Sequence, residues 1–344
     1  MGGLGLGDRR IAMPKILVNL PPGFFVQPEL SHLFARLGTL GEVRLRSWNA
    51  PGEIAADLPW CDSVLMWSWP KLLDEQLDLA VNLKFAAMLD VSQAAGRVAF
   101  RRGLPISHGR WGWSPAVSEL ALALILSLLR RTGDYHAAMR AGSEKWVHAF
   151  PDDIDVSERQ LTGRPVGIVG FGQIGRRLGE LLGPFRCPLS VYDPFVSDDV
   201  LRGFGAVRLG LTELFERNDA VVLCAASNDG TKRLVGAEQF AAMRSGSLFV
   251  NVCRASLVDT EALIQRLGRG DILAAVDVFD VEPLPAGHVL RTMPNAYLTP
   301  HRGGGVMESV QRILSWLIDD TEAFFQNKPR KFPLTENMVN ALDA

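Results

Sequence analysis

Cysteine is scarce in this sequence of 344 residues, and Cys61, Cys187, Cys224 and Cys253 stand far apart with no Cys-x-x-Cys pair. That spacing argues for reduced thiols in a cytoplasm over a disulfide framework or a zinc site. Charge of one sign is also lacking. The formal net charge is −2, so no global basic field draws nucleic acid. Long apolar runs are missing too. The most apolar stretch, Leu120–Leu129, is too short to span a bilayer. The opening Met1-Gly-Gly-Leu-Gly-Leu-Gly has no apolar core of a signal peptide, and it reads as a disordered extension before a first strand at Ile16. No internal repeat or low-complexity tract occurs. These absences lead us to expect a cytoplasmic protein with no metal, nucleic acid or membrane partner. What remains is globular, with 47% hydrophobic and 22% charged residues, and long enough for two domains.

Short apolar strands alternate with helical segments almost throughout, which predicts an α/β protein with parallel sheets and helices on both faces. In the first third, strands are expected at Ile16–Asn19, Val43–Arg46, Ser63–Met66 and Phe85–Met88. A long apolar helix, Ser114–Arg131, follows and is expected to be buried between two domains. A second sheet is expected from Val166–Val169, Leu189–Tyr192, Ala220–Leu223, Leu248–Asn251, Leu273–Val276 and Tyr297–Thr299. Val310, Ile313, Leu314, Leu317, Ile318, Phe324 and Phe325 then recur at helical spacing. This tail helix is predicted to cross back to the first domain. Residues 1–113 and 306–344 would form a discontinuous substrate domain, and residues 114–305 a dinucleotide-binding domain. Hinges are expected near Trp113–Pro115 and Gly303–Gly305.

The most informative run is Val166-Gly167-Ile168-Val169-Gly170-Phe171-Gly172-Gln173-Ile174-Gly175. It sets Gly-x-Gly-x-x-Gly between a buried strand and a helix. Gly170 allows a tight turn, Gly172 a close approach of backbone to pyrophosphate, and Gly175 close packing of helix on strand. The phosphates would sit at the positive end of the helix that begins near Gln173 and Ile174. Asp193 ends the next strand, where a carboxylate accepts bonds from the adenosine ribose. Its charge repels the 2′-phosphate of NADP, and Pro194-Phe195-Val196 supplies no cation to offset it. NAD is therefore the expected cofactor, with NADP disfavoured.

Three further strands run into polar residues at their carboxyl ends: Asn251-Val252-Cys253-Arg254, Asp277-Val278-Phe279-Asp280-Val281-Glu282-Pro283, and Thr299-Pro300-His301. In this order, after Leu161-Thr162-Gly163-Arg164 and the glycine run, they resemble the D-isomer-specific 2-hydroxyacid dehydrogenase family. The resemblance is clear from about Ser118 to Gly304. It implies two doubly wound parallel-sheet domains, a Rossmann NAD-binding domain inserted in a discontinuous flavodoxin-like substrate domain, and a homodimer. It also implies hydride transfer between nicotinamide and a 2-oxo or D-2-hydroxy acid. By that resemblance His301 is the general acid/base and Glu282 its partner, while Arg254 binds and polarises the substrate. Physical chemistry supports the trio. Imidazole titrates near working pH, a carboxylate beside it favours the imidazolium, and a guanidinium fork fits a carboxylate. The resemblance further implies that Asp277 holds the nicotinamide carboxamide. Cys224, Ala225 and Cys253 would line the cofactor, with Cys253 read as a packed residue rather than a reactive thiol.

The chain departs from the family at the loop that usually binds the substrate carboxylate through backbone N–H groups. Here that loop is the shorter Met88-Leu89-Asp90-Val91-Ser92-Gln93. Val91 and Ser92 remain candidates for substrate binding, but Asp90 stands where an anion is expected. Either it points away or the substrate is not a simple 2-oxo acid. Arg254 is followed by Ala255 rather than glycine, and Cys224-Ala225-Ala226 replaces the usual His-Val-Pro. Arg110, Trp111 and Trp113 are candidates for a pocket favouring bulky or aromatic 2-oxo acids, against a packing role. Two alternatives stay open: a phosphite-type dehydrogenase on the same scaffold, and an NADH-sensing corepressor-like binding protein. Glu282 argues against a formate dehydrogenase.

Overall fold

Aliphatic strands with no exposed face belong in the interior of a parallel sheet covered on both sides. The computed structural model describes residues 13–48, 50–67 and 72–340 and contains two such sheets. The glycine-rich opening stretch, read above as an extension, lies outside the described residues. Within them the chain divides into two compact units. One runs to Gly112 and resumes at Val310; the other is Trp113–Ser309.

In the first unit, β1 (Lys15–Asn19), β2 (Glu42–Arg46), β3 (Ser63–Met66), β4 (Phe85–Met88) and β5 (Ile106–His108) form one sheet in the order β2-β1-β3-β4-β5. All pairs are parallel. This is the flavodoxin-like winding. Strand β5 escaped the sequence reading because only three residues, Ile106-Ser107-His108, lie between Pro105 and Gly109. Helix Met307–Phe325 enters this unit from Val310 onward. Its Ile313, Leu314, Leu317 and Ile318 are at most 1% exposed. Ile313 sits so close to Gly112 that a Cβ there would lie 2.3 Å from its side chain, so the turn after β5 requires glycine. Arg36 bridges Asp319 and Glu322, each at 2.5 Å, and Phe85 stacks on Phe324. Asp320 accepts the N–H groups of Lys331 and Phe332 at 2.7 and 2.9 Å, which turns the chain end back along β5.

The second unit holds β6 (Val166–Val169), β7 (Leu189–Tyr192), β8 (Val207–Arg208), β9 (Ala220–Leu223), β10 (Leu248–Asn251), β11 (Leu273–Val276) and β12 (Ala296–Leu298). Their order is β12-β11-β10-β9-β6-β7-β8, again all parallel. The order reverses between β6 and β9, the switch point at which doubly wound folds take ligands. The doubly wound pair expected from the sequence is therefore present. Strand β8 was missed because it is a two-residue, solvent-exposed edge.

Helix Ser114–Arg130 packs on this sheet with one stripe: Val117, Ser118, Ala121, Leu124, Ile125, Leu128 and Leu129 are buried. Leu120, Leu122 and Leu126 are only half-buried, although the composition of the helix is apolar nearly all round. Arg131 adopts φ 48° and ends the helix one residue early. The helical stretch Arg110–Arg130 has 21 residues and is long and apolar enough to cross a membrane, which the shorter Leu120–Leu129 run concealed. Half of its most apolar window is buried inside the protein, as in a core helix.

His108, at the end of β5, is 4% exposed, and neither ring nitrogen has a hydrogen-bond partner. Trp111 packs edge-on against it at 4.8 Å. Burial, and then the charge of Arg110, push its pKa down to about 4. An unfolded imidazole binds its proton near pH 6.5, so the unfolded chain holds more protons between these values. This contribution to stability is complete above about pH 6.5 and is lost as pH falls towards 4. At 1.36 kcal/mol per pKa unit the loss is about 3 kcal/mol. Urea unfolding at several pH values is expected to show this slope, and His108→Gln to flatten it. An unchanged slope in the variant would contradict the assignment.

Candidate active site

The glycine run packs tightly at two of its glycines and is open at the third. Gly170 has φ 89°, and a Cβ there would lie 2.4 Å from the Ala225 backbone at the end of β9. A Cβ on Gly175 would lie 2.4 Å from the Gly170 carbonyl oxygen, so helix and strand touch there. Above Gly172 nothing lies within 4 Å. Gly172 is also the N-cap of helix Gln173–Leu182 and supplies no side-chain cap. Gln173 and Ile174 open that helix, whose dipole puts its positive end here. A cradle closed at two glycines and open at the third fits a pyrophosphate.

Asp193, at the end of β7, accepts the N–H groups of Phe171 (2.7 Å), Phe195 (2.8 Å) and Val196 (3.1 Å). Its charge is thus fixed beside the glycine loop. The sequence reading missed Arg208 on β8, which donates to the Asp193 carbonyl. The same guanidinium also holds the Val196 carbonyl at 2.6 Å and Asp198 at 2.7 Å, so it ties this loop together. Cys224 and Cys253 are buried; the Cys253 thiol lies 3.0 Å from the Leu223 carbonyl, and burial pushes its pKa up to about 12. A thiol so placed is a packed group, not a nucleophile.

Arg254 follows β10 on a turn braced by buried Asn251, whose Oδ1 accepts the Cys253 N–H at 3.0 Å and whose Nδ2 donates to the Arg254 carbonyl at 3.1 Å. The Arg254 guanidinium is exposed and donates to its neighbour's carbonyl at 2.7 Å. After β11 comes Asp277, with no solvent exposure. Its Oδ1 accepts the Thr299 hydroxyl (2.6 Å) and the Arg302 N–H (2.8 Å), and its Oδ2 accepts the Gly303 N–H (2.9 Å). For the carboxamide contact expected of it, Asp277 offers no exposed oxygen. Its carboxylate instead ties down the loop after β12.

That loop carries His301. Its backbone has φ 51°, a left-handed conformation that costs a non-glycine residue about 1–3 kcal/mol and persists only where neighbours over-determine it. The neighbours are the Asp277 carbonyl, which accepts the His301 N–H at 2.8 Å, and the side-chain bonds of Asp277 on either flank. The imidazole Nδ1 then meets Glu282 Oε2 at 2.7 Å. Glu282 Oε1 accepts the Phe279 N–H at 2.9 Å, which fixes the carboxylate on its own turn. The His301 bond, the Phe279 N–H and the charge of Arg254 hold the Glu282 carboxyl below the usual carboxylate range. The Glu282 carboxylate is therefore charged across neutral pH, and its charge is lost only in acid. Nε2 is left on a ring that is 45% exposed. Behind the Asp277–Glu282 loop lies a cavity of about 80 Å³, lined by Asn251, Val258, Val276, Phe279, Leu284 and Leu290 among others, and too small for a dinucleotide.

The second unit thus brings Arg254, Glu282, His301, Asp277 and the glycine loop to the carboxyl ends of one sheet. Trp113 belongs to the same unit and packs against Gly304. Val91, Ser92 and Arg110 belong to the first unit, on the loops after β4 and β5. Trp111 packs there against His108 and Phe332. Both tryptophans are half-buried. Among the described residues no three His, Cys, Asp or Glu side chains gather as a metal site.

A dinucleotide crevice with a histidine–carboxylate pair at its strand ends defines a class, the nicotinamide-dependent dehydrogenases. Residues 122–303 match the family described as D-isomer specific 2-hydroxyacid dehydrogenase, NAD binding domain. Over 263 residues the chain is 30% identical to a glyoxylate reductase of Thermofilum pendens, covering 73% of this chain and 75% of that protein. It is 26% identical over 308 residues to a D-3-phosphoglycerate dehydrogenase of Methanocaldococcus jannaschii, covering 88% of this chain and only 56% of the relative's length. A solved phosphoglycerate oxidoreductase from Rhizobium etli superposes with a TM-score of 0.80 at 25% identity, over 95% of this chain and 99% of that one. The chain belongs to the D-isomer-specific 2-hydroxyacid dehydrogenase family.

Proposed function

We propose that this protein interconverts a 2-oxo acid and its D-2-hydroxy acid, with NAD preferred over NADP. The observation that carries the reading is the His301–Glu282 pair at 2.7 Å, held on a braced loop with Nε2 left to a substrate. The bound nicotinamide supplies or takes the hydride. His301 gives the carbonyl oxygen its proton in reduction and takes it back in oxidation. Glu282 holds the imidazole in one orientation. Arg254 offers paired donors to the substrate carboxylate and polarises the carbonyl. Asp193 supports NAD, because its fixed charge repels a 2′-phosphate and the nearby Arg208 is already engaged by Asp198 and two carbonyls. The described cysteines are all free, which fits a cytoplasmic enzyme.

A homodimer belongs to the same reading. Trp146, Phe150 and Val156 are 61%, 79% and 91% exposed on the segment after helix Thr132–Ala141. Three exposed apolar side chains on one segment support a contact surface there. Analytical ultracentrifugation is expected to return twice the chain mass, and Phe150→Glu to shift it to a monomer. A wild-type monomer at micromolar concentration would overturn the dimer.

The function itself is tested by following NADH loss with glyoxylate, hydroxypyruvate, oxaloacetate and phenylpyruvate. We expect turnover with NADH above that with NADPH, and a drop in kcat/KM of about 10²- to 10⁴-fold for His301→Ala. Undiminished turnover in that variant would sink the assignment.

A further inference from the structure

Arg330 follows helix Met307–Phe325, on the segment that returns along β5. Its Nη1 donates to the Ile106 carbonyl at 2.8 Å and to the Ser107 hydroxyl at 3.3 Å, and the guanidinium carbon lies 5.6 Å from the centre of the Phe85 ring. These contacts hold the half-buried guanidinium at the amino end of β5 and use one of its three nitrogens. Among the described residues, Nε and Nη2 have no hydrogen-bond partner and no carboxylate stands at ion-pair distance. The carboxylate whose field reaches Arg330 is Asp320, and both of its oxygens are taken by the N–H groups of Lys331 and Phe332. Burial pulls the Arg330 pKa below that of a free guanidinium. A cation drawn out of water without a paired charge is costly, and an anion beside it relieves that cost.

Arg330 lines a pocket of about 270 Å³ whose other walls are apolar, from Ala99, Phe100, Leu104, Pro105, Ile106 and Leu334. All of them belong to the first unit. The end of helix Gln93–Arg102, which supplies Ala99 and Phe100, carries about half a negative charge, so a guanidinium stays in excess. Its Ala99 and Phe100 carbonyls already accept the Gly103 and Leu104 N–H groups. Because the sheet is parallel throughout, this pocket at the start of β5 lies at the opposite end from the loops that carry Val91, Ser92 and Arg110. Mostly apolar walls with one charged group to fix orientation are the make-up of a small-molecule site. Nε and Nη2 share one edge of the guanidinium, the edge that takes both oxygens of a carboxylate side by side.

We propose that the Arg330 pocket binds a small monocarboxylic acid with an apolar body, the guanidinium holding the carboxylate through Nε and Nη2 and the apolar walls covering the body. A second charge on the ligand would meet only apolar side chains, which selects against dicarboxylates.

Benzoate is the probe, with benzamide as its uncharged counterpart and acetate as the acid without a body. Arg254 also suits a carboxylate, so calorimetric titrations are made on the full chain carrying Arg254→Gln. We expect benzoate to bind, with benzamide and acetate roughly tenfold weaker. Adding Arg330→Gln, which keeps a donor for the Ile106 carbonyl, should weaken benzoate roughly tenfold, about 1.4 kcal/mol. Equal benzoate affinity with and without Arg330, or no benzoate binding to the Arg254→Gln chain, would overturn the proposal. Should Arg330→Gln fail to fold, hydrogen exchange on the Arg254→Gln chain decides the matter. Benzoate is then expected to slow exchange in residues 99–106 and 330–334, and protection confined to other segments overturns the site. Neither readout uses turnover, so failure of the proposed reaction and failure of this site are told apart.

Discussion

A carboxylate without solvent contact must find its donors in the chain, and Asp277 finds three of them on one loop. The Thr299 hydroxyl and the N–H groups of Arg302 and Gly303 all point to it, and its own carbonyl takes the His301 N–H. Losing such a partner would leave the buried Gly303 N–H unmet, which costs more than the net gain of an ordinary hydrogen bond. The residue that these bonds enclose is His301, in a left-handed conformation that a free loop would abandon. The geometry of the histidine is therefore set by the end of β11 and only then read out by Glu282. Nothing in this arrangement needs a flexible partner.

The same economy of position governs the cofactor crevice. Gly170 and Gly175 stand where any side chain would strike backbone, at the point where strand order reverses. Gly172 stands where a side chain would meet only open space, so its value lies in what it leaves uncovered. Asp193 then fixes one negative charge beside that opening by taking three N–H groups of its own surroundings. In the first unit the same chemistry occurs with a different result. Asp90 takes a neighbouring N–H and pairs with the Arg110 guanidinium, and so ties together the loops after two adjacent strands.

Much of this was legible in the sequence, for physical reasons. Parallel strands are short, largely aliphatic runs, so ten of the twelve among the described residues were readable, and only the three-residue β5 and the two-residue edge β8 were not. Asn251, Arg254, Glu282 and His301 were readable because each ends or follows a strand in a fixed order. What was not legible depends on contacts distant in sequence. No local pattern tells that the Asp277 side chain turns inward to Thr299 and Gly303, twenty-odd residues away, rather than outward. Nor does one show Arg208 crossing back to the Asp193 carbonyl, or Asp90 meeting Arg110 across two strands. The burial of helix Ser114–Arg130 on one face alone was hidden by its composition, which is apolar nearly all round.

The central claim is that Asp277 positions His301 rather than binding the cofactor, and Asp277→Asn measured in both respects tests it most directly. The amide replaces one acceptor oxygen with a donor, so the loop after β12 loses at least one of its bonds. The account predicts that kcat falls by about 10²-fold, as when a general acid is misplaced, while the dissociation constant for NADH, read by protein fluorescence quenching, stays within a few-fold of wild type. Weakened NADH binding with kcat preserved at saturating cofactor would contradict it and return Asp277 to the nicotinamide carboxamide.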